Sequence, residues 1–149
     1  MFNEKVLTLY NSIVQKHSRT PQNQPPINLI THQASATNKF CGDEVELNLK
    51  YDHNDLVFSE LQLIAKGCSI NVASSSILST LIICLKFDQI IMLRRIFEKM
   101  LTGKQLVDSE TKSLGDLIYF QPLSQIQIRK KCALLVWKSI ENIQPIESI

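Results

Sequence analysis

The chain has no surplus of charge, no long apolar run, no repeat and little cysteine. Sixteen basic against fourteen acidic side chains leave a net charge of +2. Apart from Arg94-Arg95 and Arg129-Lys130-Lys131 the basic residues are scattered, so neither nucleic acid nor an anionic membrane is expected as a partner. The longest apolar stretch, Ile77 to Leu85, falls far short of the roughly 18–20 residues that cross a bilayer. Met1-Phe2-Asn3-Glu4-Lys5 is polar, and no small-residue cleavage site follows an apolar run, so no export signal is read. Four cysteines in that setting are expected to be reduced thiols in the cytoplasm. Metal binding and sulfur transfer both require reduced thiols.

The 149 residues are enough for one domain with its own core, and 44% apolar with 20% charged residues is ordinary for a soluble globular protein. Apolar residues at Phe2, Val6, Leu9, Tyr10, Ile13 and Val14 predict a helix over 2–16. Pro21 and Pro25-Pro26 end it, and a strand is expected from Ile27 to Ala34. Strict alternation in Val45-Glu46-Leu47-Asn48-Leu49-Lys50-Tyr51 predicts a strand with one buried face. The turn cluster Asp52-His53-Asn54-Asp55 returns the chain as a second strand, Leu56 to Ala65. Helices are expected after Cys68, from about Asp88 to Leu101, and from between Ser124 and Arg129 to about Asn142. Ala133, Val136, Trp137 and Ile140 would form the core face of the last. Residues 103–128 show no clear period. The fold class is α+β, a small antiparallel sheet of about three strands covered by helices.

Three cysteines occupy distinct local settings: Cys41 in Cys-Gly-Asp, Cys68 in Lys66-Gly67-Cys68, and Cys132 after Arg129-Lys130-Lys131. Taken singly, each reads as a small buried hydrophobe, and Asp43 as a turn residue. The predicted hairpin, however, brings Cys41, Asp43 and Cys68 to one edge. With Cys132 they would offer three sulfurs and one oxygen, a set suited to a tetrahedral zinc or a small iron–sulfur cluster. Glycine at 42 permits the sharp backbone turn that both neighbours need to face one ion. The carboxylate, as the harder donor, is expected to be the exchangeable one. The Cys68 thiolate should gain from a helix N-terminus, and the Cys132 thiolate from Lys131 and Arg129.

The stretches Ala36-Thr37-Asn38-Lys39-Phe40-Cys41-Gly42-Asp43, Gly67-Cys68-Ser69-Ile70-Asn71-Val72-Ala73-Ser74-Ser75-Ser76 and Arg129-Lys130-Lys131-Cys132-Ala133-Leu134-Leu135-Val136-Trp137 carry a resemblance. In their order and spacing the chain resembles the IscU/NifU-like iron–sulfur assembly proteins, and within them the SufU type. The likeness runs from about Tyr10 to Ile140, with a weaker match at His17-Ser18-Arg19-Thr20-Pro21-Gln22-Asn23. It implies an IscU/SufE-like fold in one domain over residues 1–149, and a metal or cluster site at Cys41, Asp43, Cys68 and Cys132. Lys131 stands where IscU-type proteins have histidine, and Gln127-Ile128-Arg129-Lys130 does not match their chaperone motif. The segment around Leu114-Gly115-Asp116-Leu117 resembles the SufU insertion. The resemblance therefore implies a zinc-bound sulfur acceptor that takes persulfide sulfur from a PLP-dependent, SufS-type cysteine desulfurase and passes it to downstream iron–sulfur assembly proteins. Cys41 would be the acceptor. The alternative is a scaffold for a transient [2Fe-2S] cluster on the same ligands. Departures at Ala65-Lys66-Gly67, Asn71 and Leu85-Lys86 touch no expected ligand.

The remaining candidates read as structural. Cys84 in Leu81-Ile82-Ile83-Cys84-Leu85 is expected in the core, and Arg94-Arg95 on a solvated helix face. His17, His32 and His53 have no ligand spacing among them. His53 reads as a solvated turn residue, and His17 as structural or partner-facing.

Overall fold

The structure, a computed structural model, describes residues 11–146. It begins with α1 (Ser12–Arg19), capped by Asn11, whose side chain accepts from the N–H groups of Ile13 and Val14. The part of the expected first helix from residue 2 to residue 10 lies outside the described residues. Three strands follow: β1 (His32–Asn38), β2 (Asp43–Asp52) and β3 (Val57–Lys66). Then come α2 (Ser69–Ile82), α3 (Phe87–Leu101), α4 (Asp108–Leu114), a 3-10 segment (Gly115–Gln125) and α5 (Gln127–Glu141). A two-residue strand, β4 (Gln144–Pro145), closes the described chain.

The sheet is antiparallel in the order β3-β2-β1-β4. Its inner face is the predicted alternation, with Val45, Leu47, Leu49, Leu61 and Leu63 buried. On the outer face the alternate positions form a polar ladder. Gln33 donates to Asn48, Asn48 to Gln62, and Gln62 to the Gln24 carbonyl, at 2.9 to 3.1 Å. The ladder satisfies side chains that would otherwise compete for the backbone. Helices α2 and α5 pack on the sheet and on each other, and the Ser74 hydroxyl donates to the Ala133 carbonyl between them at 2.8 Å.

The structure departs from the sequence-based expectation at the first strand, at Cys84 and at Arg94. The first strand lies at 32–38 rather than 27–34. Its register runs back from the Asn38–Asp43 pair at the hairpin turn to His32–Leu49, and the apolar residues upstream stay outside, Leu29 among them. Cys84 is exposed, not core. Helix α2 ends at Ile82, and Cys84 adopts φ +70° with its N–H donating to the Phe58 carbonyl, which turns the chain outward. Arg94 is not simply solvated: it pairs with Glu98 at 2.8 Å and with Glu141 of α5, and these two carboxylates raise its already high pKa against the burial that lowers it.

The region without a clear period has a period of three. Leu114, Leu117, Phe120 and Leu123 are all fully buried, as the 3-10 geometry of three residues per turn requires. Phe120 meets Phe97 edge-on at 6.3 Å between centroids, and Phe97 in turn packs on Trp137 at 6.1 Å. Phe120→Ala should therefore destabilise the fold by about 3–5 kcal/mol, read from the urea midpoint.

Helix α1 is anchored to α2 by polar groups. The Ser76 hydroxyl accepts the Gln22 N–H at 2.8 Å and shares a 2.7 Å bond with His17 Nδ1, while Asn23 donates to Ser79 at 3.0 Å. Burial lowers the His17 pKa below its ordinary 6.5, Asp116 raises it, and Lys16 lowers it again. A histidine that resists protonation in the fold but accepts it when unfolded makes stability rise with pH across that interval. Acidification below 6.5 should lower the urea midpoint, and His17→Gln should flatten that step.

Candidate metal centre

The β1–β2 turn carries residues 39–42 at the end of the sheet where β3 finishes. The Cys41 N–H donates to the Asn38 carbonyl at 3.3 Å, and Gly42 takes φ +69°, the left-handed conformation expected of this glycine. Asp43 then begins β2, fully buried. Across the sheet, Glu44 faces Lys66, so Asp43 lies beside Gly67. Cys68 is the N-cap residue of α2. Cys132 comes up from the first half of α5, which is buried against α2 and β1. The β1–β2 turn and the β3–α2 junction thus meet at one end of the sheet, as the hairpin argument predicted, and α5 brings Cys132 to the same place.

Ligand atoms of Cys41, Asp43 and Cys132 all lie within 4.8 Å of one another. Cys68 is outside that mutual group but touches two members of it. Its Sγ is 3.8 Å from Asp43 Oδ2, and it also contacts Cys132. A tetrahedral ion with Zn–S bonds of about 2.3 Å would hold its sulfurs roughly 3.8 Å apart. The donor set is slightly looser than that, and three sulfurs with one carboxylate oxygen match the chemistry of such an ion.

The four groups differ sharply in access. Asp43 and Cys132 are buried, Cys68 is half-buried, and Cys41 is exposed. The Asp43 carboxylate is also the most tightly held. Oδ1 accepts the Cys68 backbone N–H at 2.8 Å, which leaves Oδ2 toward the sulfurs. Burial and this backbone bond hold the carboxylate in place, whereas Cys41 lies at the rim.

The Cys132 thiol also behaves differently from the expectation. Burial pushes its pKa far above the ordinary cysteine range, and hydrogen bonding and charge from Cys68 and Asp43 push it further. Lys131 offers no relief, because it lines a separate outer cleft with Lys39 and Phe40. Arg129 is exposed. A bound dication would overcome this by deprotonating its thiol ligands.

Two supporting residues were not singled out from the sequence. Gly67 has φ +114°, and a Cβ there would stand 2.2 Å from Asp43 Oδ1 and 2.8 Å from Asp43 Cα. Glycine is thus the residue that lets the carboxylate close on the Cys68 N–H. Asn71, one turn into α2, donates to the Lys66 carbonyl at 2.9 Å and the Glu44 carbonyl at 3.4 Å. It staples the ends of β2 and β3 beside the site, while its Oδ1 is buried without a partner. The available signal was the departure at Asn71 itself, three residues after Cys68, set aside as touching no expected ligand.

A model of the NifU-like N-terminal domain matches residues 9–133. The chain belongs to this family. It is 33% identical over 141 residues to the zinc-dependent sulfurtransferase SufU of Bacillus subtilis, covering 95% of this chain and 92% of that protein. It is 26% identical over 138 residues to the iron–sulfur cluster assembly scaffold protein IscU of Streptococcus pyogenes, covering 93% and 84%. Among solved structures, the iron–sulfur cluster assembly scaffold protein for the SUF system (SufU) from Fervidobacterium islandicum AW-1 superposes with a TM-score of 0.79 at 25% identity, over 90% of this chain and 95% of that one. The SufU-type resemblance and the IscU-like fold read from the sequence both hold, with β4 as a fourth, short strand.

Gly67→Ala should push the Asp43 carboxylate away and strain a left-handed backbone. The expected result is a loss of about 1–3 kcal/mol of stability, with weaker metal retention in dialysis against a chelator. Unchanged retention would mean that the clasp does not govern the site.

Proposed function

We propose that the chain serves iron–sulfur cluster assembly as a zinc-dependent sulfur acceptor, receiving persulfide sulfur on Cys41 from a PLP-dependent cysteine desulfurase. The observation that carries this reading is the gradient of access: Asp43 and Cys132 buried, Cys68 between, and Cys41 exposed on a turn. A purely structural ion would leave no reason for one ligand to face solvent. Closed structural zinc sites also more often use only cysteine and histidine.

Bound at Cys41, Asp43, Cys68 and Cys132, zinc would supply charge that holds the three thiols as thiolates. The rest is the chain's own chemistry. The Cys41 thiolate attacks the outer sulfur of the desulfurase persulfide, forming a new S–S bond. The old S–S bond breaks, and the desulfurase cysteine departs as a thiolate. Cys41 then carries the persulfide, with no net oxidation or reduction of the pair. Asp43, clasped by the Cys68 N–H, and the buried Cys132 keep the site's floor in place while the Cys41 turn faces the donor.

A scaffold for a transient [2Fe-2S] cluster is the rival reading, and the relative from Streptococcus pyogenes bears a scaffold's name. The span of 4.8 Å or less among three donor atoms favours one ion over a two-iron cluster. The absence of a histidine before Cys132, where Lys131 stands, supports the same choice. The reading takes the protein to act in the cytoplasm. No helix among the described residues is long and apolar enough to cross a membrane.

Metal and acid-labile sulfide in protein purified without oxygen separate the two readings. About one zinc per chain without sulfide is expected, whereas iron with matching sulfide would establish the scaffold. In the desulfurase assay, Cys41→Ala should reduce cysteine turnover to the rate of the desulfurase alone. Undiminished stimulation would remove Cys41 from the acceptor role.

A further inference from the structure

Beside the Cys41 turn lies a cleft that the sulfur chemistry leaves unused. It has a volume of about 360 Å³ between the β1–β2 turn and α5, and its lining includes Lys39, Phe40, Lys131, Leu135 and Lys138. No acidic residue lines it, and none of its three lysines has an ion-pair partner among the described residues. All three lysines are exposed, and Leu135 forms a buried apolar floor. At the rim Phe40 is 101% exposed, so its ring touches almost nothing of its own chain. Its backbone is nevertheless fixed, with the Phe40 N–H donating to Asn38 Oδ1 at 3.2 Å.

An aromatic side chain held out in water by an ordered turn is a poor use of apolar surface unless something covers it. Three uncompensated lysines around a hydrophobic floor specify the cover's chemistry: carboxylates at the edge and an apolar contact at the centre. Cys41 adjoins Phe40, so any body seated on the ring sits over the nucleophile. We infer that this cleft docks an acidic, partly apolar segment of the sulfur-donating desulfurase, with Phe40 as the anchor and Lys39, Lys131 and Lys138 as the charged rim. The inference rests on the proposed sulfur-acceptor function and adds to it the surface that selects the donor. Docking here is separable from the chemistry, because neither Phe40 nor Lys138 belongs to the donor set. The lysines steer the encounter and the ring sets the lifetime of the complex.

The test uses the zinc-loaded full chain and the cysteine desulfurase of the same organism. Phe40→Ala and Lys138→Glu are compared with the parent chain and with Cys41→Ala. Cysteine turnover is followed while the acceptor is titrated, and binding is measured independently by calorimetry. Each docking variant should raise both KM for the acceptor and Kd about tenfold, with kcat, zinc content and melting temperature unchanged. Lys138→Glu should in addition flatten the salt dependence of binding. Cys41→Ala should bind but not stimulate.

Parent-like KM and Kd in both docking variants would overturn the docking surface and leave the sulfur relay standing. Weakened binding by the variants, with no stimulation even by the parent chain, would remove the relay and keep the docking surface. A parent chain that neither binds nor stimulates the desulfurase would overturn both. If the variants lose affinity only for phosphatidylglycerol-containing vesicles, the cleft is a lipid-facing patch and the inference fails.

Discussion

The contact between the Asp43 carboxylate and the Cys68 backbone N–H holds the rest of the site together. One hydrogen bond of 2.8 Å joins the first residue of β2 to the first turn of α2. It does so in a buried place, where leaving either partner without a hydrogen bond would be costly. The bond exists because position 67 has no Cβ. The cysteines approach one another because that clasp and the Asn71 staple close the sheet's end, and α5 then delivers Cys132 across the top of α2. Remove the clasp and the ligand positions become independent of one another.

The clasp also explains how a reactive end is built on a stable body. Burial drives the Cys132 pKa upward, and hydrogen bonding and charge from Cys68 and Asp43 raise it further, so this thiol favours its neutral form. Access differs among the four donors: Asp43 and Cys132 are buried, Cys68 is half-buried and Cys41 is exposed. The polar anchoring of α1 to the serines of α2 lies away from these donors, so it can stiffen the scaffold without constraining the reactive turn.

Much of this was legible in the sequence, and the reasons differ by element. Strands β2 and β3 announced themselves because alternation is a direct image of one buried face, and the turn after Asp52 joins them, although a bulge between Lys50 and Tyr51 shifts the register by one residue. Convergence of Cys41, Asp43 and Cys68 followed from that hairpin alone. Cys132 required the family resemblance, because nothing local says where α5 will dock. β1 was displaced because its inward residues, Ala34 and Ala36, are too small to read as a core stripe, while half-buried Ile27 and Ile30 and exposed Leu29 upstream imitated one. Cys84 was misplaced because a helix end and a left-handed residue cannot be seen in an apolar run.

The three-residue stripe from Leu114 to Leu123 has a consequence for how this segment can vary in length. Each residue of a 3-10 helix turns the chain by about 120°. Adding or deleting one residue before Phe120 would swing every later side chain a third of a revolution and carry the stripe to solvent. Changes by three residues would restore the phase and merely lengthen the rod. Length variation here is thereby quantised, a discrete rule imposed on a stretch whose composition looks irregular.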